Sequence, residues 1–125
     1  MRHLLAGLLL LSSAWTASLH AQVGIAQPVS IADIEGNSAA QQVSPTAVNA
    51  KWVLIIALTA NSAAVRVGDS SVGANRGSQV AAGGGLFMPP LPPDTRNAQV
   101  QNTYDLSKIY FYGTAPDKIS VIYGR

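Results

Sequence analysis

The sequence predicts an all-β protein: a small antiparallel β-sandwich or barrel-like module built on two hairpins, preceded by an N-terminal signal helix and an extended arm. Three observations predict it. Two segments, Lys51 to Gly68 (KWVLIIALTANSAAVRVG) and Leu106 to Gly124 (LSKIYFYGTAPDKISVIYG), hold most of the bulky apolar residues and share one layout of strand, turn, strand. Within them the apolar residues recur with a period of two, the spacing that puts alternate side chains on opposite faces of a strand. The composition, with 11 Gly, 7 Pro and many Ala, Ser, Asn and Gln, favours strands and turns over long helices. A chain of 125 residues is expected to form one domain. A module of this size buries a modest share of its surface, so association with other copies is expected.

The N-terminus reads as an export signal over residues 1–21. Met1-Arg2-His3 is a short basic start, Leu4 to Leu11 is an apolar run, and Ser12 to Ala21 turns small and polar, with cleavage expected after Ala21. The apolar run is too short for a membrane span, which needs about 20 residues, so no stable span is expected once the signal is removed. Residues 22–49 read as an extended arm or linker with one strand at Val29 to Ala32. Ser44-Pro45 marks a boundary within it, because the residue before a proline is pushed to extended conformations.

The β module is expected over residues 50–125. In the first hairpin, Trp52, Leu54, Ile56 and Leu58 share one face and Val53, Ile55 and Ala57 the other, so both faces are apolar. Such a strand belongs inside a packed sheet or at a subunit contact. Asn61-Ser62 supplies the turn, and Val65 and Val67 give the return strand one dry face. Ser78 to Ala81 and Leu86 to Met88 read as short strands, with Gly83 to Gly85 as a flexible hairpin connection. Pro89 to Thr103 is a stiff loop, since its paired prolines cannot donate to a ladder. In the last hairpin, Ile109 and Phe111 alternate with Tyr110 and Tyr112. Gly113 to Asp117 forms the turn, and Ile119, Val121 and Tyr123 alternate with Ser120 and Ile122.

The same residues constrain function. The formal charge is +2 with no run of Lys or Arg, so there is no electrostatic footprint for nucleic acid. There is no Cys, which excludes disulfides, thiol catalysis and thiolate metal sites. Both histidines, His3 and His20, precede the expected cleavage point, so a processed chain lacks the commonest general base and metal ligand. Asp33 and Glu35 flank Ile34 and share a face if extended, but no apolar pocket is in view to raise one pKa, and they read as solvated acids. Asp69, Asp94, Asp105 and Asp117 fall in or beside turns, where Asp caps its own backbone. No catalytic residue, cofactor or metal is expected. Tyr104, Tyr110, Tyr112 and Tyr123 suit half-buried strand positions with the hydroxyl at water, and also suit a sugar- or receptor-binding surface.

The order of signals from Ala47 to Arg125 resembles a small module of virion accessory proteins in tailed bacteriophages and prophages. The likeness is carried by KWVLIIALTANSAAVRVGDSSVGANRG, VAAGGGLFMPP and YDLSKIYFYGTAPDKISVIYGR. It implies a compact β-sandwich or barrel-like module without enzymatic activity, used as a head or tail accessory piece and located in the virion. The export signal departs from that family, whose members assemble in the cytoplasm. It fits a virus assembled at or through the membrane, or an exported, periplasmic bacterial protein. The expected partners are the chain itself and other virion proteins, met through Trp52, Ile56, Tyr110, Phe111 and Tyr112. The alternative is an exported bacterial module that binds glycan or cell surface through its tyrosines and the Pro-rich loop.

Overall fold

The computed structural model describes residues 27–94, 96 and 102–125. The expected signal at residues 1–21 lies outside them. Ten strands follow in order: β1 (Pro28–Glu35), β2 (Gln41–Gln42), β3 (Asn49–Ala50), β4 (Trp52–Ala57), β5 (Val65–Gly68), β6 (Ser78–Val80), β7 (Gly85–Met88), β8 (Tyr104–Asp105), β9 (Tyr110–Tyr112) and β10 (Lys118–Gly124). The helical element among the described residues is a 3₁₀ turn at Leu106–Lys108, capped by the Asp105 carboxylate, which accepts from Ser107 N.

Two antiparallel four-stranded sheets make a sandwich. The first has the order β1-β10-β4-β7 and the second β2-β9-β5-β6; β3 and β8 form a separate short pair. The all-β class is as the sequence predicts, and the connectivity differs from it. The two segments read as hairpins are not hairpins, because β4 and β10 lie in the first sheet while β5 and β9 lie in the second. Each of those turns is an arch that carries the chain across the core. Two-residue loops fold a strand back beside itself; these longer connections, Leu58 to Ala64 and Gly113 to Asp117, turn it over instead.

Two further arches follow the same plan, β1 to β2 and β6 to β7. The latter passes through Gly83 and Gly84, so the glycine run joins sheets rather than neighbouring strands. Gly83 adopts φ 76°, a backbone geometry that favours glycine. Position by position, each strand of the first sheet is joined by an arch to the strand at the same place in the second. All these arches sit at one end of the sandwich, since Glu35, Lys118, Ala57 and Gly85 end the first sheet on that side.

The expected arm at residues 22–49 is corrected from Pro28 onward. β1 runs the length of β10, from Pro28 opposite Gly124 to Glu35 opposite Lys118, and β2 pairs with β9. Both strands belong to the sandwich. The bulge in β1 between Ile31 and Ile34 explains why its alternation is weak in sequence: an extra residue shifts the inward set by one.

The core forms where the inward faces meet. Val53, Ile55, Ala57, Ile119, Val121 and Tyr123 come from the first sheet, and Val65, Val67, Val80 and Phe111 from the second. Leu106, Ile109, Val43 and Ala50 close the end opposite the arches. The β-branched residues dominate because they suit a pleated, packed surface.

The arches approach each other closely. Gly36 N donates to the Asp117 carbonyl at 2.9 Å, and Ser38 N to the Gly113 carbonyl at 2.8 Å. A Cβ on Gly36 would collide with the backbone carbonyl of Gly113, which cannot swing away as a side chain could. Gly36→Ala is therefore expected to destabilise by about 1–3 kcal/mol. Gly113→Ala, whose Cβ would stand 3.3 Å from the Val65 side chain, is expected to cost less. Chemical denaturation of the two variants checks the order.

Candidate interaction surfaces

Alternation along each strand leaves the sandwich with two outward faces of different chemistry. On the first sheet the outward residues are Trp52, Leu54 and Ile56 from β4, Ile122 and Ser120 from β10, Phe87 from β7 and Ser30 from β1. The register sets them in rows, with Ser30 opposite Ile122, Ile122 opposite Leu54, and Leu54 opposite Phe87. Phe87 is 56% exposed, while Trp52, Leu54, Ile56 and Ile122 are half-buried.

Trp52 organises this face. Its cross-strand neighbour is Gly124, and the indole lies so close over that residue that a Cβ there would collide with the ring. On its other side the ring stands 6.4 Å from the Phe87 ring at 49°. That separation falls within the range of favourable aromatic pairs. Glycine at position 124 thus makes room for the tryptophan to lie flat on the sheet.

The outward face of the second sheet is polar and aromatic. Tyr110 pairs with Gln42 and Gly68, and Tyr112 with Arg66, which in turn pairs with Gln79. Arg66 is held by donating from Nη1 to the Gly77 carbonyl at 3.2 Å, and Gln42 by donating from Nε2 to the Ser107 carbonyl at 2.9 Å.

The five expected interface residues therefore separate. Trp52 and Ile56 lie on one outer face, and Tyr110 and Tyr112 on the opposite one. Phe111 lies on neither: it points between the sheets, fully buried, and offers no surface to a partner. Alternation around Tyr110 and Tyr112 already put Phe111 on the other side of β9. The sequence does not reveal that the tyrosine side is the outer one. Leu54 shares the apolar face that the sequence shows on β4; Phe87 and Ile122, which complete it, read in the sequence as strand residues and not as surface. The cross-strand rows that join them come from pairing between strands distant in sequence.

The acids divide by role. Asp33 and Glu35 line a cleft of about 340 Å³ at the arch end together with Leu58, Ala60, Asn61, Pro116 and Lys118. Glu35 approaches Lys118 at 3.8 Å, both side chains about half exposed, so the pair adds little. Asp69, Asp94 and Asp105 each accept from the backbone N–H two residues on, as the turn reading predicts. For Asp69 the hydroxyl and backbone N–H of Ser71 hold the carboxyl below its ordinary value, and Ser107 does the same for Asp105. Asp117 departs from the pattern. It is 3% exposed and its carboxylate accepts from Ser62 and Ala63 in another arch.

Among the described residues, no three of His, Cys, Asp and Glu gather where they could hold a metal ion. No helix among them is long and apolar enough to cross a membrane. The chain matches no protein-family model. It matches no curated protein and no solved structure.

Proposed function

We propose that this chain is a non-enzymatic structural protein of a virion, a phage or prophage head or tail accessory subunit, that works by self-association and docking. The observation that carries the docking part is the outer face of the first sheet. Trp52, Leu54, Ile56, Phe87 and Ile122 form a continuous apolar surface on a rigid sheet, and such patches mark interaction sites. The virion part rests on the likeness of residues 47–125 to the phage module. Affinity comes from apolar burial around an aromatic centre, with charge left to the rim.

The alternative, an exported module for glycan or cell surface, is favoured by the other outer face, where Tyr110 and Tyr112 flank Arg66, Gln42 and Gln79. Flat aromatic rings beside amide and guanidinium donors suit sugar hydroxyls. Particle fractionation separates the two readings. A structural subunit sediments with particles and self-associates when purified. A glycan module stays in the soluble exported fraction and binds a glycan array, losing that binding in Tyr110→Ala and Tyr112→Ala.

A further inference from the structure

We infer that the outer face of the second sheet binds a saccharide that carries carboxylates, with the Arg66 guanidinium taking the carboxylate and Tyr110 and Tyr112 supporting the sugar rings. The inference rests on the glycan reading of that face and names the ligand's chemistry. It asks nothing of the apolar face on the first sheet, so it applies to a virion subunit and to an exported module alike.

Charge selects the ligand. Arg66 stands on β5, an inner strand flanked by β9 and β6. Gln42, Tyr110 and Gly68 make one outward row, and Tyr112, Arg66 and Gln79 the next, so Arg66 alone is charged among them. Among the described residues no carboxylate lies within ion-pairing distance of it; the pair that does form, Glu35 with Lys118, belongs to the other sheet. Asp69, the acid nearest to Arg66 along the chain, is held by Ser71. A half-buried guanidinium without a counterion attracts an anion, and its planar fork matches a carboxylate through two parallel hydrogen bonds.

The guanidinium is held ready. Its Nη1 donates to the Gly77 carbonyl, which fixes one side of the fork and leaves the rest to a ligand. That carbonyl belongs to the loop at residues 69–77, which joins β5 to β6 and folds back over the sheet. Gly73 and Arg76 exchange two backbone hydrogen bonds at 3.1 Å near its tip. Val72, 5% exposed, packs over Gly68, where a Cβ would stand 3.6 Å from its side chain. Gly77 has φ 113°, a conformation open to glycine and strained for other residues. The loop thus walls the face at the end away from the arches, beside Tyr110, which is opposite Gly68. Preorganisation of this kind lowers the cost of binding.

The floor of the face selects a sugar over a bare anion. Tyr110 and Tyr112 are two positions apart on β9, about 6.6 Å, and both are half-buried. Among the described residues neither hydroxyl has a protein partner, whereas the Tyr104 hydroxyl donates to the Pro89 carbonyl. Aromatic rings offer an apolar body to the C–H side of a sugar, and free hydroxyls and amides meet its hydroxyls. From Gln42 on β2 to Gln79 on β6 the face spans three strand spacings, about 14 Å, room for several sugar units in a row. The face is open, so a single site binds weakly and gains strength when copies are held together.

Isothermal titration of the full chain with a short oligogalacturonate, and with a neutral galactose oligomer of the same length, tests this. Wild type is expected to bind the acidic oligomer at least roughly tenfold more tightly, with the advantage shrinking as salt rises. Arg66→Gln is expected to lose that advantage, and Arg66→Lys, which keeps the charge without the fork, to fall between. Gln79→Glu sets a carboxylate opposite Arg66 at an exposed position that leaves the fold intact, and is expected to lose the advantage as well, because the new side chain occupies the guanidinium. Phe87→Ala, on the other outer face, is expected to bind as wild type does. Equal binding of the two oligomers overturns the inference while the glycan reading stands. Poly-glutamate bound as tightly as the oligogalacturonate overturns the saccharide and leaves charge alone. Binding of neither oligomer overturns the inference, and the glycan array then judges the glycan reading by itself.

Discussion

Asp117→Ala is expected to lower the melting temperature by roughly 10–20 °C, corresponding to a loss of about 2–4 kcal/mol. The residue stands where three arches meet. Its carboxylate accepts from Ser62 N at 2.7 Å and from Ala63 N at 3.1 Å, and also from the Ser62 hydroxyl at 3.2 Å. Its backbone carbonyl accepts from Gly36 N, and its own N–H donates to the Thr114 carbonyl, both at 2.9 Å. Bonds to a charged acceptor are worth more than neutral ones, and truncation leaves their donors without a partner inside the arch. Water reaches Ser62 and Ala63, which are exposed, and this limits the loss. Asp117→Asn keeps one acceptor oxygen and is expected to fall between alanine and wild type. Ser62→Ala removes only the hydroxyl and is expected to cost under about 1 kcal/mol. Thermal unfolding of the three variants orders them. Equal melting points for wild type and Asp117→Ala would show that the arches hold without the carboxylate.

Asn61 works beside it. Its amide donates from Nδ2 to the Lys118 carbonyl and its Oδ1 accepts from Lys118 N, both at 2.8 Å. A side chain thus occupies the place of a further strand residue beside β10, and the two arches close on each other through these two polar residues. Asn61 and Asp117 were both legible in the sequence as turn formers. Their partners were not, since each bonds to a residue more than fifty positions away.

The strands themselves were readable for the same physical reason that their connections were not. Alternation reports which side chains share a face, and it marked β4, β9 and β10 well because each has a full dry side facing the core. It carries no information on which sheet the next strand joins. An arch and a hairpin can leave the same alternation in sequence, and only the length of the connection hinted at the difference. β1 was half visible because its bulge breaks the period at Asp33. β2 and β3 are each two residues long and too short for any pattern to show. For the outer surface the limit is sharper. Trp52, Leu54 and Ile56 announced a second apolar face on β4, yet the patch exists only because β7 and β10 flank that strand.

The chain has only two phenylalanines, and they are expected to behave in opposite ways. Phe111 is 0% exposed and Phe87 is 56% exposed. Phe111→Ala is expected to destabilise the fold by about 3–5 kcal/mol, since it removes the largest fully buried side chain and leaves a cavity between two sheets that cannot close on it. Domains of this size hold only about 5–15 kcal/mol in total, so a large part of the variant is unfolded well below the wild-type melting point. Phe87→Ala removes an exposed ring and is expected to leave the unfolding midpoint within about 0.5 kcal/mol while weakening association. Urea unfolding at low protein concentration separates the two effects, because any self-association contributes nothing there. Were Phe111 an interface residue, as its sequence context suggests, its alanine variant would keep the monomer's unfolding midpoint and lose only the concentration dependence. The register of β9 against β5 decides for the core: Phe111 is opposite Val67, itself buried, and its two tyrosine neighbours are opposite Arg66 and Gly68 on the other face.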